Sequence, residues 1–316
     1  MQVSLSPVDA TSIPAEAELR PAAKLLFDDR ARRLLESIRR CVRQNARPED
    51  VHKLRIATRR VDAFLRTFAV VTPRRRARKL SRELRRVRRA AGDVRNLDVL
   101  IERTAPESTD HDGSTEGDWV VAQLRRRRDR AARRLSKTLR SIHSKRFRGQ
   151  LARLKKRLRW RGSGSEPSIA SAAAPLIRPE VDRFLAATSC DLSDISRLHR
   201  MRLRGKRLRY SLELLVALLP QDERLGRLKA ALKQMQEQLG DLNDRATAIE
   251  ILRQVRDTAE NRSHEAEVDS LIEIQRRELT ERHRTFLTWW SDDGRRKLTG
   301  EIEASLMTPA AQVTGG

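Results

Sequence analysis

Aromatic residues are scarce in this chain. Phe, Trp and Tyr together make up 3% of 316 residues, and there is one tyrosine, Tyr210. Few rings are therefore on offer for stacking single-stranded bases. Cysteine is nearly absent. Cys41 and Cys190 lie far apart and match no metal or redox spacing, so free thiols in a reducing compartment are expected. Long apolar runs are missing as well. The longest, around Leu212 to Leu219, is interrupted by Glu213 and is too short to cross a bilayer. The opening MQVSLSPVDA has no basic start followed by an apolar core, so neither a signal peptide nor membrane insertion is expected, and the expected location is cytoplasmic. Acidic charge is missing from one half only. Residues 1–160 hold 43 Lys+Arg against 19 Asp+Glu, whereas residues 161–316 hold 25 against 24. Within 121–160, 17 bases face one acid, Asp129. The net charge of +25 therefore sits almost wholly in the first half. Such a field attracts nucleic acid, polyphosphate or an anionic membrane surface, most strongly at low salt.

What is present favours helix. Hydrophobic residues make up 38% and charged residues 35%, in a mix rich in Arg, Leu, Ala and Glu. Period-2 alternation is rare and the 3.6-residue period dominates, so an all-α chain is expected. Residues 1–20, punctuated by Pro7 and Pro14, read as a disordered tail. Residues 21–160 read as a first four-helix bundle, with helices at about 21–45, 50–72, 74–104 and 117–160. The Gly-, Ser-, Ala- and Pro-rich stretch 161–175 reads as a linker. Residues 176–291 read as a second four-helix bundle, with helices at about 176–188, 193–219, 222–257 and 262–291. Residues 292–316 are left as a C-terminal tail. Pro73 and Pro220 end the second helix of each set.

Two segments occur twice. Val51-His52-Lys53-Leu54-Arg55-Ile56-Ala57-Thr58-Arg59-Arg60 returns, degenerate, as Leu198-His199-Arg200-Met201-Arg202-Leu203-Arg204-Gly205-Lys206-Arg207. Ala91-Gly92-Asp93-Val94-Arg95-Asn96-Leu97-Asp98 is matched by Leu239-Gly240-Asp241-Leu242-Asn243-Asp244. The offsets are nearly equal and the order is the same, as internal duplication requires. At about 100° per residue, His52, Arg55, Arg59 and Arg66 share one helix face, with Leu54, Ala57, Val61, Leu65 and Phe68 opposite. His199, Arg202, Lys206 and Arg209 align likewise, with Met201, Leu208, Leu212 and Leu215 opposite. The next helix adds a stripe of Arg85, Arg88, Gly92 and Arg95, whose counterparts are Lys233, Gln236, Gly240 and Asn243. The basic region at 121–160 offers Arg126, Arg130, Arg133, Lys137 and Arg140. Guanidinium forks bind phosphate oxygens bidentately, Lys acts as a point charge and His donates to an oxyanion. Like charges at i, i+4 destabilise a helix by a few tenths of a kcal/mol per pair, and a multivalent anion relieves that repulsion.

The paired His-centred helices, the Gly-Asp-Val-Arg-Asn-Leu-Asp element and the all-helical layout resemble the CHAD family, the conserved-histidine α-helical domain. The resemblance spans about residues 20–291. It implies two four-helix bundles related by a pseudo-twofold axis, with a basic channel between them that binds inorganic polyphosphate, and an association with polyphosphate granules. Carried over by position, the binding residues are His52, Arg55, Arg59 and Arg60 in the first copy and His199, Arg202, Lys206 and Arg207 in the second. Arg85, Arg88 and Lys233 line the same channel. Arg209, on the same face as Lys206, and Arg130 and Lys137, on the basic helix, complete the candidates. The sequence Glu16-Ala17-Glu18-Leu19-Arg20 only superficially resembles the strand of a triphosphate tunnel domain, since Arg replaces Lys and no strands follow. A stand-alone module is expected.

Two other function classes are weighed against this one. A nucleic-acid-binding helical protein fits the charge but lacks stacking aromatics and any recognition-helix or zinc pattern, so nucleic acid is expected as a non-specific competitor. An enzyme lacks support: no Gly-rich phosphate loop, metal spacing or nucleophile–base set is evident. No cofactor or metal is expected. Asp93, Asp98, Asp241 and Asp244 are expected to pair with arginines or cap bends at Gly92 and Gly240. His111, His143, His264 and His283 are expected on the surface, and Trp289 and Trp290 in packing of the last helix. Oligomeric state is left open.

Overall fold

The computed structural model describes residues 13–43, 46–104, 116–142, 145–190 and 192–306. Within them the chain forms α1 (Leu19–Arg43), α2 (Pro48–Thr67), α3 (Arg74–Thr104), α4 (Glu116–Ile142) and α5 (Lys145–Lys156). There follow α6 (Ile169–Thr188), α7 (Ile195–Leu218), α8 (Glu223–Arg256), α9 (Arg262–Trp289), a π-helical turn at Trp290–Gly294 and α10 (Arg295–Leu306). The one β contact among the described residues is an isolated antiparallel bridge between Glu18 and Ser168.

Local chemistry sets the helix starts. Pro48 stands at the beginning of α2, where its missing N–H costs nothing, and Glu49 and Asp50 follow in the positive first turn. The side chains of Ser168, Asp194, Asp222 and Asn261 accept backbone N–H groups at the starts of α6, α7, α8 and α9. α7 ends at Leu218, two residues before Pro220.

In the first bundle α1 packs on α2, α2 on α3, α3 on α4 and α4 on α1, with α5 against α1 and α3. In the second, α6 packs on α7, α7 on α8 and α8 on α9, while α10 folds back on α8 and α6. The bundles meet where α2 packs on α7, α3 on α8 and α4 on α9. α2 sends Val51, Leu54, Val61 and Phe64 fully into the core, and the Phe64 ring lies 5.0 Å from Phe27 and 4.8 Å from Phe68. The α2–α7 register is pinned by two polar contacts. Thr67 and Ser211 share a buried hydroxyl hydrogen bond of 2.8 Å, and Arg60 Nε donates to Glu213 at 3.0 Å.

Several boundaries differ from the sequence expectation. Leu19 and Arg20 already belong to α1, so the part of the 1–20 tail from Ile13 on is placed, and residues 1–12 lie outside the described residues. The expected 161–175 linker is half helix, because α6 begins at Ile169 and runs through both Pro175 and Pro179. Its alanines favour helix, and burial of Ile169, Ile177, Val181 and Phe184 outweighs the hydrogen bonds the prolines remove. The single helix expected at 117–160 is two, α4 and α5; Phe147, Leu151 and Leu154 bury the apolar side of the shorter one. The expected 292–316 tail contains α10, anchored by Leu298 and Ile302. α3 and α8 run unbroken through Gly92 and Gly240, so no bend is capped there. His264 stacks on Trp119 at 4.1 Å and His283 bonds the Leu192 carbonyl at 3.0 Å, so neither is a free surface ring; His111 and His143 lie outside the described residues. Trp289 and Trp290 pack with Phe286, as expected.

Gly205 has a packing role. A Cβ there would stand 2.5 Å from Met235 Cε and 3.3 Å from Phe184 Cε2, so both side chains must shift to admit one. At Gly92 nothing lies within 4 Å of an added Cβ. We expect Gly205→Val to destabilise by about 1–3 kcal/mol through overpacking. Gly92→Ala should stabilise by about 0.5–1 kcal/mol through helix propensity. Urea midpoints compare the two, and stabilisation by Gly205→Val contradicts the packing account.

Candidate functional site

Between the bundles, α2, α3, α7 and α8 enclose a cavity of about 350 Å³. α2 contributes His52, Arg55 and Arg59; α3 contributes Arg95 and Arg103; α7 contributes Arg202, Lys206 and Arg209. The one carboxylate in the lining is Asp244 of α8. Amphipathicity explains the placement. The positions opposite these cations on α2 and α7, such as Leu54, Val61, Leu208 and Leu212, are buried in the core, which aims the basic faces at each other.

Two of the lining cations are already engaged. Arg103 bonds Asp241 at 2.8 Å, and Arg209 bonds Glu213 at 2.5 Å and Gln236 at 2.8 Å. Arg55, Arg59, Arg95, Arg202 and Lys206 form no ion pair among the described residues. Five basic groups thus share one carboxylate. Arg202 is the extreme case: it is 8% exposed, and its Nε is buried without a hydrogen-bond partner. Native proteins rarely leave a buried charge unpaired, because desolvation costs several kcal/mol per ion.

The titration behaviour follows from this crowding. Burial, then repulsion from Arg202 and Arg59, pushes the Lys206 ammonium down to about 6. Burial lowers Arg55 and Arg202 to about 10; Arg59 adds to the lowering in both, while Asp244 opposes it. His52 is lowered by burial and then by Arg95, Arg55 and Arg59. His199 is lowered by burial and by Arg202, while a hydrogen bond to Asn243 works the other way.

The cavity adjoins two recesses. His52 and Arg95 also line one of about 930 Å³, together with Lys53, Arg125 and Arg128. Arg202 and Thr247 also line one of about 460 Å³, together with His199 and His283. A larger cavity, about 620 Å³, lies between α6, α8 and α10, away from this cationic cluster.

Of the residues singled out by sequence, His52, Arg55, Arg59, Arg202, Lys206 and Arg209 converge on the cavity, and His199 stands in the adjoining recess. The others do not line it. Arg60 and Arg207 each follow a cavity residue, and consecutive helix positions point about 100° apart. Arg60 is held by Glu213, and exposed Arg207 faces Arg66, Arg204 and Glu180. Arg88 is drawn to Asp62 at 3.2 Å. Arg85 is exposed outside the lining, and Lys233 is exposed with Glu237 at 3.4 Å. Arg130 and Lys137 are exposed on the side of α4 opposite buried Leu124, Leu135 and Leu139. Arg95, Arg103 and Asp244 were not among the candidates. Arg95 could have been found, since it stands on the basic stripe of α3; Arg103 lies two turns further along it. Asp98 pairs with Arg128 at 2.9 Å, and Asp241 pairs with Arg103, Arg245 and Arg282, as expected of those aspartates.

Fold and site together define an all-helical protein with a cationic cavity between two bundles. The chain belongs to the CHAD domain family, whose model matches residues 25–253. Its structure is similar to that of the CHAD domain from the plant Ricinus communis, with a TM-score of 0.65 at 19% identity, covering 95% of this chain and 98% of that one. It is also similar to PptA from Streptomyces chartreusis, with a TM-score of 0.63 at 19% identity, covering 87% and 100%. No curated protein matches it. Among the described residues no helix is long and apolar enough to cross a membrane, and no cluster of His, Cys, Asp or Glu could hold a metal ion.

The depressed Lys206 has a measurable consequence. Its folded value, about 6, lies below the roughly 10.4 of an unfolded lysine. The unfolded chain therefore holds the proton more tightly across that window. Lys206 destabilises the empty protein fully below pH 6, and this penalty fades as pH rises toward 10. Lys206→Met should be more stable than the parent at pH 6, with the gap closing toward pH 10. Denaturation in buffers free of multivalent anions checks this; a gap that is constant with pH contradicts it.

Proposed function

We propose that this protein binds inorganic polyphosphate in the interbundle cavity, without catalysis. The observation that carries this reading is Arg202: a buried guanidinium that forms no ion pair, set among four further basic groups that form none either. A single small anion would neutralise only part of that charge, whereas a linear polyanion supplies many oxygens in series. Lys53 and Arg125 in the adjoining recess offer it a path beyond the cavity. Family membership and the sequence resemblance point the same way. The paired segments on α2 and α7 read as a duplication that supplies the two walls. Association with polyphosphate granules follows from this reading.

A nucleic-acid duplex suits the cavity poorly, since its major groove alone is about 12 Å wide. An enzymatic reading finds little support either. A histidine nucleophile is activated by an adjacent base; the strongest neighbours of His52 are arginines, and the partner of His199, Asn243, is not a base.

Arg55→Ala with Arg202→Ala should weaken polyphosphate binding by at least about 100-fold, given about 1.5–3 kcal/mol for each bond to a charged group. Arg126→Ala with Arg133→Ala, on the outer face of α4, should change it less than about threefold. Equal losses would indicate a diffuse cationic surface. Calorimetry in buffers of different ionisation enthalpy should detect proton uptake on binding at pH 7–8, because the anion restores the charge of Lys206. Incubation with polyphosphate and magnesium should release no phosphate; sustained release would overturn the non-catalytic reading.

A further inference from the structure

The cavity leaves most of the positive charge of the first bundle unused. Arg126, Arg130, Arg133, Lys137 and Arg140 of α4 recur at i, i+4, i+7, i+11 and i+14, all exposed, on the side opposite the buried Leu124, Leu135 and Leu139. Adjacent α3 repeats the pattern with Arg78, Arg82 and Arg89, exposed opposite buried Leu80, Leu84 and Val87. None of these eight forms an ion pair among the described residues. Asp129 is the only acid on the α4 surface between Arg125 and Arg140. A merely solvated helix face usually interleaves both signs, and this one does not.

We infer that this outer α3–α4 face is a second polyanion surface, separate from the cavity, that fits the backbone of double-stranded nucleic acid. The α4 stripe is about 21 Å long at 1.5 Å per residue. A duplex presents one negative charge per about 1.7 Å of its axis. It is already rigid, so an open array of arginines holds it without the ordering cost that a flexible polyphosphate meets outside a cavity. A membrane surface would favour apolar anchors among the cations. The exposed large hydrophobic residues, Leu25, Ile195, Leu203 and Ile274, all lie outside α3 and α4. Single strands would favour aromatic platforms, and the described stretch of α4 beyond Trp119 has none. Binding of this kind reads no sequence.

The test titrates the full chain with a 20-base-pair DNA duplex over a range of salt. Arg126→Glu, Arg133→Glu and Lys137→Glu together should weaken duplex binding by about tenfold or more and reduce the log–log salt slope by about 3. Polyphosphate affinity should hold within about twofold. Asp129→Arg should tighten duplex binding and steepen the slope by about 1, and decides the matter if the triple variant misfolds. Saturating tripolyphosphate, and the Arg55→Ala, Arg202→Ala protein, should leave duplex binding intact. The inference is overturned if tripolyphosphate displaces the duplex, if neither outer-face variant shifts its affinity, or if those variants lose phosphatidylserine vesicles but keep DNA. These readouts are independent of whether the cavity takes polyphosphate.

Discussion

Buried, unneutralised positive charge is the constraint around which this structure is organised. Arg55, Arg202 and Lys206 come from two helices that carry similar segments, and the fold brings them together with a single carboxylate, Asp244, among them. Burial first, and repulsion after it, depress Lys206 and both arginines. An arrangement of this kind weakens the empty protein. It persists because the surrounding elements over-determine it, and on the proposed reading a bound anion removes the penalty.

The supporting elements are apolar and well sealed. Val51, Leu54, Val61 and Phe64 on α2 and Leu208, Leu212 and Leu215 on α7 are wholly buried, which fixes the rotation of both helices. Thr67–Ser211 and Arg60–Glu213 fix their register. Glu213 links the two walls, because it engages Arg60 of α2 and Arg209 of α7 together. Neighbouring arginines are removed from the site in similar fashion. Asp62 takes Arg66 and Arg88, and Asp98 takes Arg128. Which cations remain free is decided by where carboxylates fall in space, not by how many bases the sequence holds.

That distinction sets how far the sequence could be read. The helical class and the positions of α2, α3, α7 and α8 were legible, because the 3.6-residue period is strong and Pro48, Pro73 and Pro220 mark the ends. The facing of Arg55, Arg59, Arg202 and Lys206 was legible for the same reason. Arg60 and Arg207 fall outside the cavity lining because adjacent helix residues point about 100° apart. Arg88 could not be judged, since Asp62 lies 26 residues away in sequence. Arg130 and Lys137 were ambiguous because nearly every register of that helix is basic. α6 was missed at its start because two prolines resemble a linker, and their cost is offset only by tertiary burial of Ile169, Ile177 and Phe184.

The basic charge of the chain thus divides into an inward part, crowded and desolvated, and an outward part that is solvated and evenly spaced. The inward part is coupled to protonation through Lys206. The most direct measurement is a crystal structure of the full chain with tripolyphosphate. Phosphate oxygens within hydrogen-bond distance of Arg55, Arg202 and Lys206 are the predicted result. Ordered phosphates confined to the outer faces, with the cavity empty, would contradict it.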